Sequence, residues 1–260
     1  MKLSVITINY NDATGLEKTI QSVVSQTYSN FEYVVIDGGS TDKSLDIINS
    51  YADKITYWVS EKDSGVYNAQ NKGILKANGE YVIFLNSGDY FKSDNVIELL
   101  FEKSQGQDII YGDILYELPN DELTQIYPDE LDFGFFIHNT LPHPCTLIKR
   151  QLLINYGLYK EELKICADWA FFIDIICKHN ASYKHVNSII SVFLIGGLSS
   201  DVSSSVLEKD LYLDTYYKLF MNENKKLVKL QETIKARSIK GVAKRILTVI
   251  PFGKKLLNKN

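Results

Sequence analysis

The stretch EYVVIDGGSTDKS, residues 32–44, decides the fold class because its structural period changes within thirteen residues. Residues 32–37 are a β-branched apolar run, typical of a strand that is buried on both faces. A glycine-rich turn follows, and residues 42–51 repeat apolar side chains at helical spacing. A buried strand that passes through such a turn into a helix indicates one βα unit of an α/β protein.

The same alternation continues on both sides of this unit. Further strands are predicted at 3–8, 55–60 and 81–85, with helices at 14–25 and 66–77. Strands that alternate with helices predict a parallel sheet covered by helices on both faces. In such sheets ligands bind beyond the carboxyl ends of the strands.

Polar side chains follow three of these strands at that edge. Asn9 ends the first strand, Asp37 and Ser40 follow the second, and Asp89 lies at the end of YVIFLNSGDYF, residues 81–91. Each turn has a purely structural explanation, since Asn, Ser, Gly and Asp are ordinary turn residues. Three polar ends at one edge instead favour a site. There the Asp89 carboxylate would hold Mg²⁺ or Mn²⁺ against a diphosphate.

The second half of the chain is less regular. We predict a strand at 109–118, a loop-rich stretch at 119–144, a strand or helix start at 145–150, a helix at 169–178, a strand at 183–195 and helix over 205–232. Asp168 precedes a very apolar helix, either as its N-cap or as a general base whose pKa the apolar surroundings raise. His143 lies between two prolines and is either structural or part of an acceptor-binding surface.

Composition excludes several classes of protein. A net charge of −4 over 260 residues gives no general attraction to nucleic acid. The three cysteines, Cys145, Cys166 and Cys177, lack metal-ligand spacing and cannot all pair with one another, so a reducing compartment is the simplest interpretation. The N-terminal residues do not resemble a signal peptide, and we see no apolar run long enough to span a bilayer. We therefore expect a cytoplasmic protein.

The C-terminal segment, residues 234–260, alternates lysine and arginine with large apolar side chains. This pattern is typical of a helix that lies on an anionic membrane surface. It is equally compatible with a solvated helix packed on the core. Peripheral attachment to the inner face of the cell membrane is therefore one of two open expectations.

Four stretches together resemble the family 2 glycosyltransferases of the GT-A fold, bacterial enzymes that build surface polysaccharides. They are SVITINYN (4–11), QSVVSQTYSNFEYVVIDGGSTDKS (21–44), SEKDSGVYNAQNKGILKANGEYVIFLNSGDYF (60–91) and ADWAFF (167–172). The resemblance covers roughly residues 1–200 and is strongest to colanic-acid-type transferases. It implies a Rossmann-like, mostly parallel central sheet flanked by helices. The expected domains are a glycosyltransferase domain at 1–204, with a nucleotide-binding half at 1–116 and an acceptor half at 117–204, and a helical basic extension at 205–260.

The resemblance also implies roles for individual residues. Asp168 is the expected catalytic base and Asp89 the expected metal ligand. The expected nucleotide-binding residues are Thr7, Asn9, Asp37, Gly38, Ser40, Asp63, Lys72, Asn86 and Ser87. The acceptor side is expected at His143, Gly197 and Ser199. One departure is clear: the family often has Asp-Ser-Asp-Asp where this chain has Asn86-Ser87-Gly88-Asp89, so two carboxylates are absent and metal affinity is in question.

The implied reaction is inverting transfer of a sugar from a nucleoside-diphosphate sugar, UDP- or GDP-linked, to a hydroxyl of a saccharide or lipid-linked saccharide. A sugar nucleotidyltransferase is one alternative, but it would favour a glycine-rich basic loop where this chain has Asn9-Tyr10-Asn11-Asp12. A catalytically inactive subunit that binds nucleotide sugars is the other. The absent carboxylates favour it, whereas Asp89 and Asp168 argue against it.

Overall fold

The computed structural model of the chain describes residues 2–118, 121–194 and 202–249, and side chains for 203–236 of the last range. The chain divides into two compact units. The first, Met1–Glu208, holds the sheet, and the second, Lys209–Asn260, is helical where it is described.

Nine strands of the described residues form one sheet in the order β3-β2-β1-β4-β8-β6-β9-β5, with β7 paired to β6. The strands are β1 Leu3–Asn9, β2 Phe31–Asp37, β3 Tyr57–Ser60, β4 Tyr81–Phe84, β5 Tyr90–Phe91, β6 Ile109–Leu118, β7 Asp121–Gln125, β8 Thr146–Lys149 and β9 Tyr183–Leu194. The β3-β2-β1-β4 part is parallel throughout, whereas β8 pairs antiparallel with both β4 and β6.

Helices connect the strands. They are α1 Ala13–Val24, α2 Ser44–Ser50, α3 Val66–Lys76, α4 Val96–Glu102, α5 Phe133–His138, α6 Arg150–Asn155, α7 Ala167–Cys177, α8 Val202–Tyr216 and α9 Lys218–Val249. A 3₁₀ turn, His143–Cys145, precedes β8. The predicted α/β fold class is confirmed.

The parallel half forms as its sequence predicts. All seven residues of β1 are buried, as are all four of β4, so both faces of these strands are covered. Asn9 of β1 pairs with Asp37 of β2, which aligns the ends of the two strands. This register brings the polar strand ends to one edge of the sheet.

The second half contains structure that the sequence analysis did not predict. The loop-rich stretch includes β7 and α5, and the long helical pattern is divided at Tyr217 into α8 and α9. Strand β7 is polar and almost wholly exposed at the sheet edge, so it lacks the apolar alternation that identifies a strand. Short elements of this kind form because tertiary pairing stabilises them.

None of the helices in the described part of the chain is both long enough and apolar enough to cross a bilayer. Of the predicted membrane-binding segment, 234–260, residues 250–260 lie outside the described residues, and side chains are described only to Ala236.

Candidate active site

A pocket of about 530 Å³ opens at the carboxyl edge of the parallel strands. It collects residues from the ends of β1 and β4, the start of α3 and the start of α7. The predicted site residues that line it are Asn9, Asp63, Asn86, Ser87, Asp89, His143 and Asp168. The two halves of the predicted glycosyltransferase domain therefore both contribute to one cavity.

Five predicted nucleotide-binding residues lie outside this lining: Thr7, Asp37, Gly38, Ser40 and Lys72. Thr7 is fully buried, and its hydroxyl donates to the Leu85 carbonyl oxygen at 2.7 Å. The Lys72 ammonium pairs with Glu61 Oε1 at 2.9 Å. The nucleotide-binding roles of all five residues stay predictions. Gly197 and Ser199 lie outside the described residues.

The Asp37 carboxylate is saturated by hydrogen bonds. Its Oδ1 accepts from Asn9 Nδ2 at 2.7 Å and from the Ser40 hydroxyl at 2.6 Å. Its Oδ2 accepts from the Ser60 hydroxyl at 2.6 Å and from the backbone amides of Gly39 and Ser40. Burial acts to raise the pKa of Asp37, but these donors hold it below its usual value. In this structure Asp37 organises the turn after β2.

Gly38 allows two loops to approach each other. A Cβ atom at this position would lie 2.6 Å from Asp63 Oδ2, so the Asp63 carboxyl group would have to move to admit a side chain. Asp63 in turn accepts a hydrogen bond from the Gly65 amide at 3.0 Å, which shapes the start of α3. The glycine therefore contributes by leaving room for Asp63 at the pocket.

The turn Asn86–Asp89 is held against α1 by Thr19 and by the N-cap Asp12, whose Oδ2 accepts from the Ser87 hydroxyl at 3.2 Å. The Thr19 hydroxyl donates to the Asp89 carbonyl oxygen at 2.7 Å and accepts from the Gly88 amide at 3.0 Å. Gly88 has a φ of +95°, a conformation that other residues adopt only with strain. This backbone explains why a glycine stands where the family often has a carboxylate.

The Asp89 carboxyl group lines the pocket but is only 4% exposed. Burial raises its pKa to about 7, although the nearby His143 and the backbone amides of Asn86 and Leu194 act in the opposite direction. A buried carboxyl group with a raised pKa favours either a proton or a bound cation.

Asp168 lies in the first turn of α7, whose N-cap is Cys166, so the alternative that Asp168 is the N-cap is wrong. The Tyr67 hydroxyl lies 2.9 Å from Asp168 Oδ1, and His143 Nδ1 lies 3.2 Å from Oδ2. Burial acts to raise the pKa of Asp168, but His143 and Tyr67 hold it below its usual value. The expectation of a raised pKa is therefore corrected, because two donors outweigh the apolar surroundings.

His143 is the residue whose ring contacts the Asp168 carboxylate. Burial would lower its pKa, but the hydrogen bond and charge of Asp168 raise it. Its Nε2 lies 3.2 Å from Asn86 Nδ2. The ring packs edge-on against Phe84, with the ring centres 6.4 Å apart.

Several lining residues were missed, among them Tyr10, Asp12, Tyr67, Lys164 and Phe193. Tyr67 had a signal in the sequence, since it lies within the stretch DSGVYNAQNKG, four residues after Asp63 and one helical turn before Asn71. Lys164 and Phe193 had none, because only the folded chain brings them to the strand ends.

The charges that line the pocket bear on whether a metal fits. Among the described lining residues there are four carboxyl groups, of Asp12, Asp63, Asp89 and Asp168, and one ammonium group, of Lys164. A diphosphate would add further negative charge in a partly buried cavity. The described residues contain no cluster of three or more His, Cys, Asp or Glu side chains arranged as a metal site. A single carboxylate that shares a cation with substrate phosphates fits this donor set.

Comparison with known proteins identifies the family. The family model described as Glycosyl transferase family 2 matches residues 4–157. The chain belongs to glycosyl transferase family 2. Relatives of this family 2 glycosyltransferase include a PGL/p-HBAD biosynthesis glycosyltransferase of Mycobacterium bovis, 30% identical over 222 residues that cover 82% of this chain and 84% of the relative. An uncharacterised glycosyltransferase of Mycobacterium tuberculosis is 32% identical over 178 residues, 66% of this chain and 67% of the relative.

Solved structures support the same fold for this family 2 glycosyltransferase. Staphylococcus aureus TarS 1–349 in complex with UDP-GlcNAc aligns with a TM-score of 0.63 and 22% identity over 78% of this chain and 61% of that chain. The mannosyltransferase PcManGT from Pyrobaculum calidifontis, in complex with GDP-Man and Mn²⁺, aligns with a TM-score of 0.59 and 17% identity over 76% and 58%. The chain thus spans about three fifths of each solved chain. The predicted family and glycosyltransferase fold are confirmed.

Proposed function

We propose that this glycosyltransferase moves a sugar, with inversion, from a nucleoside-diphosphate sugar to a hydroxyl of a saccharide or lipid-linked saccharide, in the assembly of a surface polysaccharide or glycolipid. The observation that carries the proposal is that one pocket at the carboxyl edge of the sheet is lined by two carboxyl groups, Asp89, which is 4% exposed, and Asp168, whose side chain is 14% exposed, and that their pKa values are shifted in opposite directions. Two carboxyl groups with pKa values shifted apart are suited to two different roles, here a general base and a cation ligand. The UDP- and GDP-sugar complexes of the solved neighbours support a donor of this class.

Asp168 is the proposed general base. Its lowered pKa keeps it ionised at neutral pH, and two fixed hydrogen bonds orient it toward the pocket. An ionised carboxylate has about four lone-pair positions, so it still has room to accept the proton of an acceptor hydroxyl. Attack of that oxygen from the side of the pocket opposite the leaving group gives inversion.

Asp89 is the proposed residue that would hold Mg²⁺ or Mn²⁺ in the pocket beside the donor diphosphate. A bound cation neutralises the charge of the departing nucleoside diphosphate. The Asn86 and Ser87 side chains lie beside it, and the acidic lining of the pocket is the reason to expect that donor binding requires the metal.

The test measures release of nucleoside diphosphate from UDP-N-acetylglucosamine, UDP-glucose and GDP-mannose, each with Mn²⁺, Mg²⁺ or EDTA, and water accepts the sugar when no other hydroxyl is supplied. We expect release with one donor and a metal, and a loss of about 10³-fold in the Asp168→Asn variant with metal-dependent donor binding kept. The matched control is Asp174→Asn, on the same helix, where Asp174 pairs with Lys178 at 2.7 Å.

Near-full activity of Asp168→Asn would show that the base is another group. Binding of a donor by the wild-type protein, without release of diphosphate under any condition, would instead favour the inactive subunit. Loss of donor binding in Asp168→Asn would mean that Asp168 contacts the donor.

We also propose that the second unit binds the anionic surface of a membrane. Residues 209–260 carry 13 Lys and Arg against 4 Asp and Glu, although the whole chain is acidic. Within α9, Leu219, Leu227, Leu230 and Ile234 are each more than half exposed and recur at helical spacing. An exposed apolar stripe on a basic helix suits an interface that is both anionic and apolar.

Co-sedimentation of the full chain with phosphatidylglycerol and phosphatidylcholine vesicles tests this. We expect binding to the anionic vesicles only, and a loss of at least about tenfold in affinity when Leu227 and Leu230 are both replaced by Ser. The control is Leu123→Ser in β7, where the leucine is 59% exposed outside the second unit. Equal binding to both lipids, or none, would contradict the proposal.

A further inference from the structure

A chain of side-chain contacts joins the proposed base to the turn that carries Asp89. His143 Nδ1 lies 3.2 Å from Asp168 Oδ2, and His143 Nε2 lies 3.2 Å from Asn86 Nδ2. Asn86 Oδ1 in turn lies 3.4 Å from Gln70 Nε2, on α3. Asn86 is three residues before Asp89, so this chain connects the two chemical ends of the pocket.

The two ring nitrogens of His143 are both engaged within the protein. The side chains of His143 and Asp168 are only 18% and 14% exposed, and the ring is fixed edge-on against Phe84. His143 begins the 3₁₀ turn and has Pro142 before it and Pro144 after it, and the two prolines restrict its backbone. Both nitrogens of the ring therefore have partners within the protein, although the ring lines the pocket, and the acceptor-side role of His143 stays a prediction.

We propose that His143 is a positioning residue that orients the Asp168 carboxylate, and that Asn86 orients His143. This inference deepens the proposed function and rests on Asp168 as its base. In the neutral ring, Nδ1–H donates to Asp168 Oδ2 and Nε2 accepts from the Asn86 amide. The partner of one ring nitrogen selects the tautomer at the other.

The proposed role of Asn86 accounts for the asparagine at a position where the family often has an aspartate. An asparagine amide has N–H groups to donate to Nε2, whereas an aspartate carboxylate has none. Asn86 therefore acts in the support of the base, and Asp89 is left as the cation ligand of the turn. With Oδ2 held by His143 and Oδ1 close to the Tyr67 hydroxyl, the carboxylate cannot rotate away from the acceptor.

The first test is ¹⁵N NMR of the histidine rings in the wild-type protein without ligand. The chain has four histidines, and the ring signals of His143 are identified by their loss in His143→Gln. At a pH where the ring is neutral we expect the Nδ1–H tautomer. Asp168→Ala should shift it toward the Nε2–H form that free histidine favours. An Nε2–H tautomer in the wild type would overturn the proposal.

The second test is kinetic and uses the donor from the panel above that releases diphosphate. His143→Asn places an amide near the Nδ1 position, whereas His143→Gln places one near Nε2. We expect His143→Gln to lower kcat by about 10- to 100-fold with the donor KM within about twofold, and His143→Asn to recover most of that loss.

The outcomes are distinguishable. Equal losses in the Asn and Gln variants, or a change in KM alone, would contradict a positioning role through Nδ1. If no donor is turned over by the wild type, the proposed function fails, but the tautomer measurement still decides whether His143 orients Asp168. Thermal unfolding of each variant separates a local effect from loss of the fold.

Discussion

The turns after β2 and β4 look alike in sequence but have opposite electrostatics. Both end a buried parallel strand at the same edge, and both contain a glycine with positive φ, Gly39 at +81° and Gly88 at +95°. Asp37 in the first turn accepts five hydrogen bonds and has a lowered pKa. Asp89 in the second lines the pocket, and burial raises its pKa to about 7. The fold satisfies the Asp37 carboxylate with hydrogen bonds, whereas it leaves the Asp89 carboxyl group poorly stabilised and available for a cation.

The largest expected effect is a difference in enzymatic activity between substitutions in the turn after β4 and in the turn after β2. Asp89→Asn should lower metal-dependent release of nucleoside diphosphate by about 100-fold or more, because it removes the proposed cation ligand. Asp37→Asn should retain activity in the fraction that remains folded. Turnover per folded molecule, at saturating Mn²⁺, measures both. Similar losses in the two variants would show that both carboxylates serve the donor.

The free energy of unfolding should fall more in the Asp37 variant than in the Asp89 variant, the reverse of the order expected for activity. Asp37→Asn should lower the free energy of unfolding by about 3 kcal/mol at pH 7, because an amide nitrogen would face buried donors. Since the pKa of Asp37 is lowered in the folded state, its contribution is present above the unfolded pKa and is lost as pH falls through the folded one. Urea unfolding at pH 7 and near pH 3 measures this. A constant difference between the two pH values would contradict the prediction.

Asp89→Asn should instead stabilise the metal-free protein at pH 8, by about 2 kcal/mol. The folded pKa of about 7 lies above the usual value of 3.8, so the ionised carboxylate costs stability. That cost appears as pH rises above 3.8 and is complete above about 7; the shift corresponds to at most about 4 kcal/mol. Urea unfolding in EDTA at pH 5 and pH 8 should show the gain increasing with pH. A loss of stability at pH 8 would mean that Asp89 is well paired.

The smallest expected effect concerns the feature that the two turns share, a glycine with positive φ. Gly39→Ala and Gly88→Ala should each cost about 1 kcal/mol, because alanine is strained at positive φ. An added Cβ would meet no atom closer than 3.4 Å at Gly39 or 3.7 Å at Gly88, so sterics add little. Thermal unfolding of the two variants should shift equally. A much larger loss at Gly88 would show that the second turn needs its glycine for more than backbone conformation.

The site was predictable in part. The strand ends at Asn9 and Asp89, together with Asp168 and His143, were recognisable from local pattern and resemblance, and the structure brings all four to one pocket. The position of Lys164 and the hydrogen bond between Tyr67 and Asp168 were not predictable. Tyr67 and Asp168 are 101 positions apart, and no periodicity within either segment reports on the other.

The amino-acid sequence by itself determined the alternation of buried strands and amphipathic helices, the polar ends of the strands and membership of the glycosyltransferase family. These follow from local chemistry, since apolar runs must be buried and polar turns must end them. Only the tertiary structure decided which carboxylate is satisfied. The donors for Asp37 include Ser60, 23 positions away, and one of the two groups that contact the Asp168 carboxylate is His143, 25 positions away. A pKa depends on the groups that surround a side chain in space, and that neighbourhood exists only once the sheet has formed.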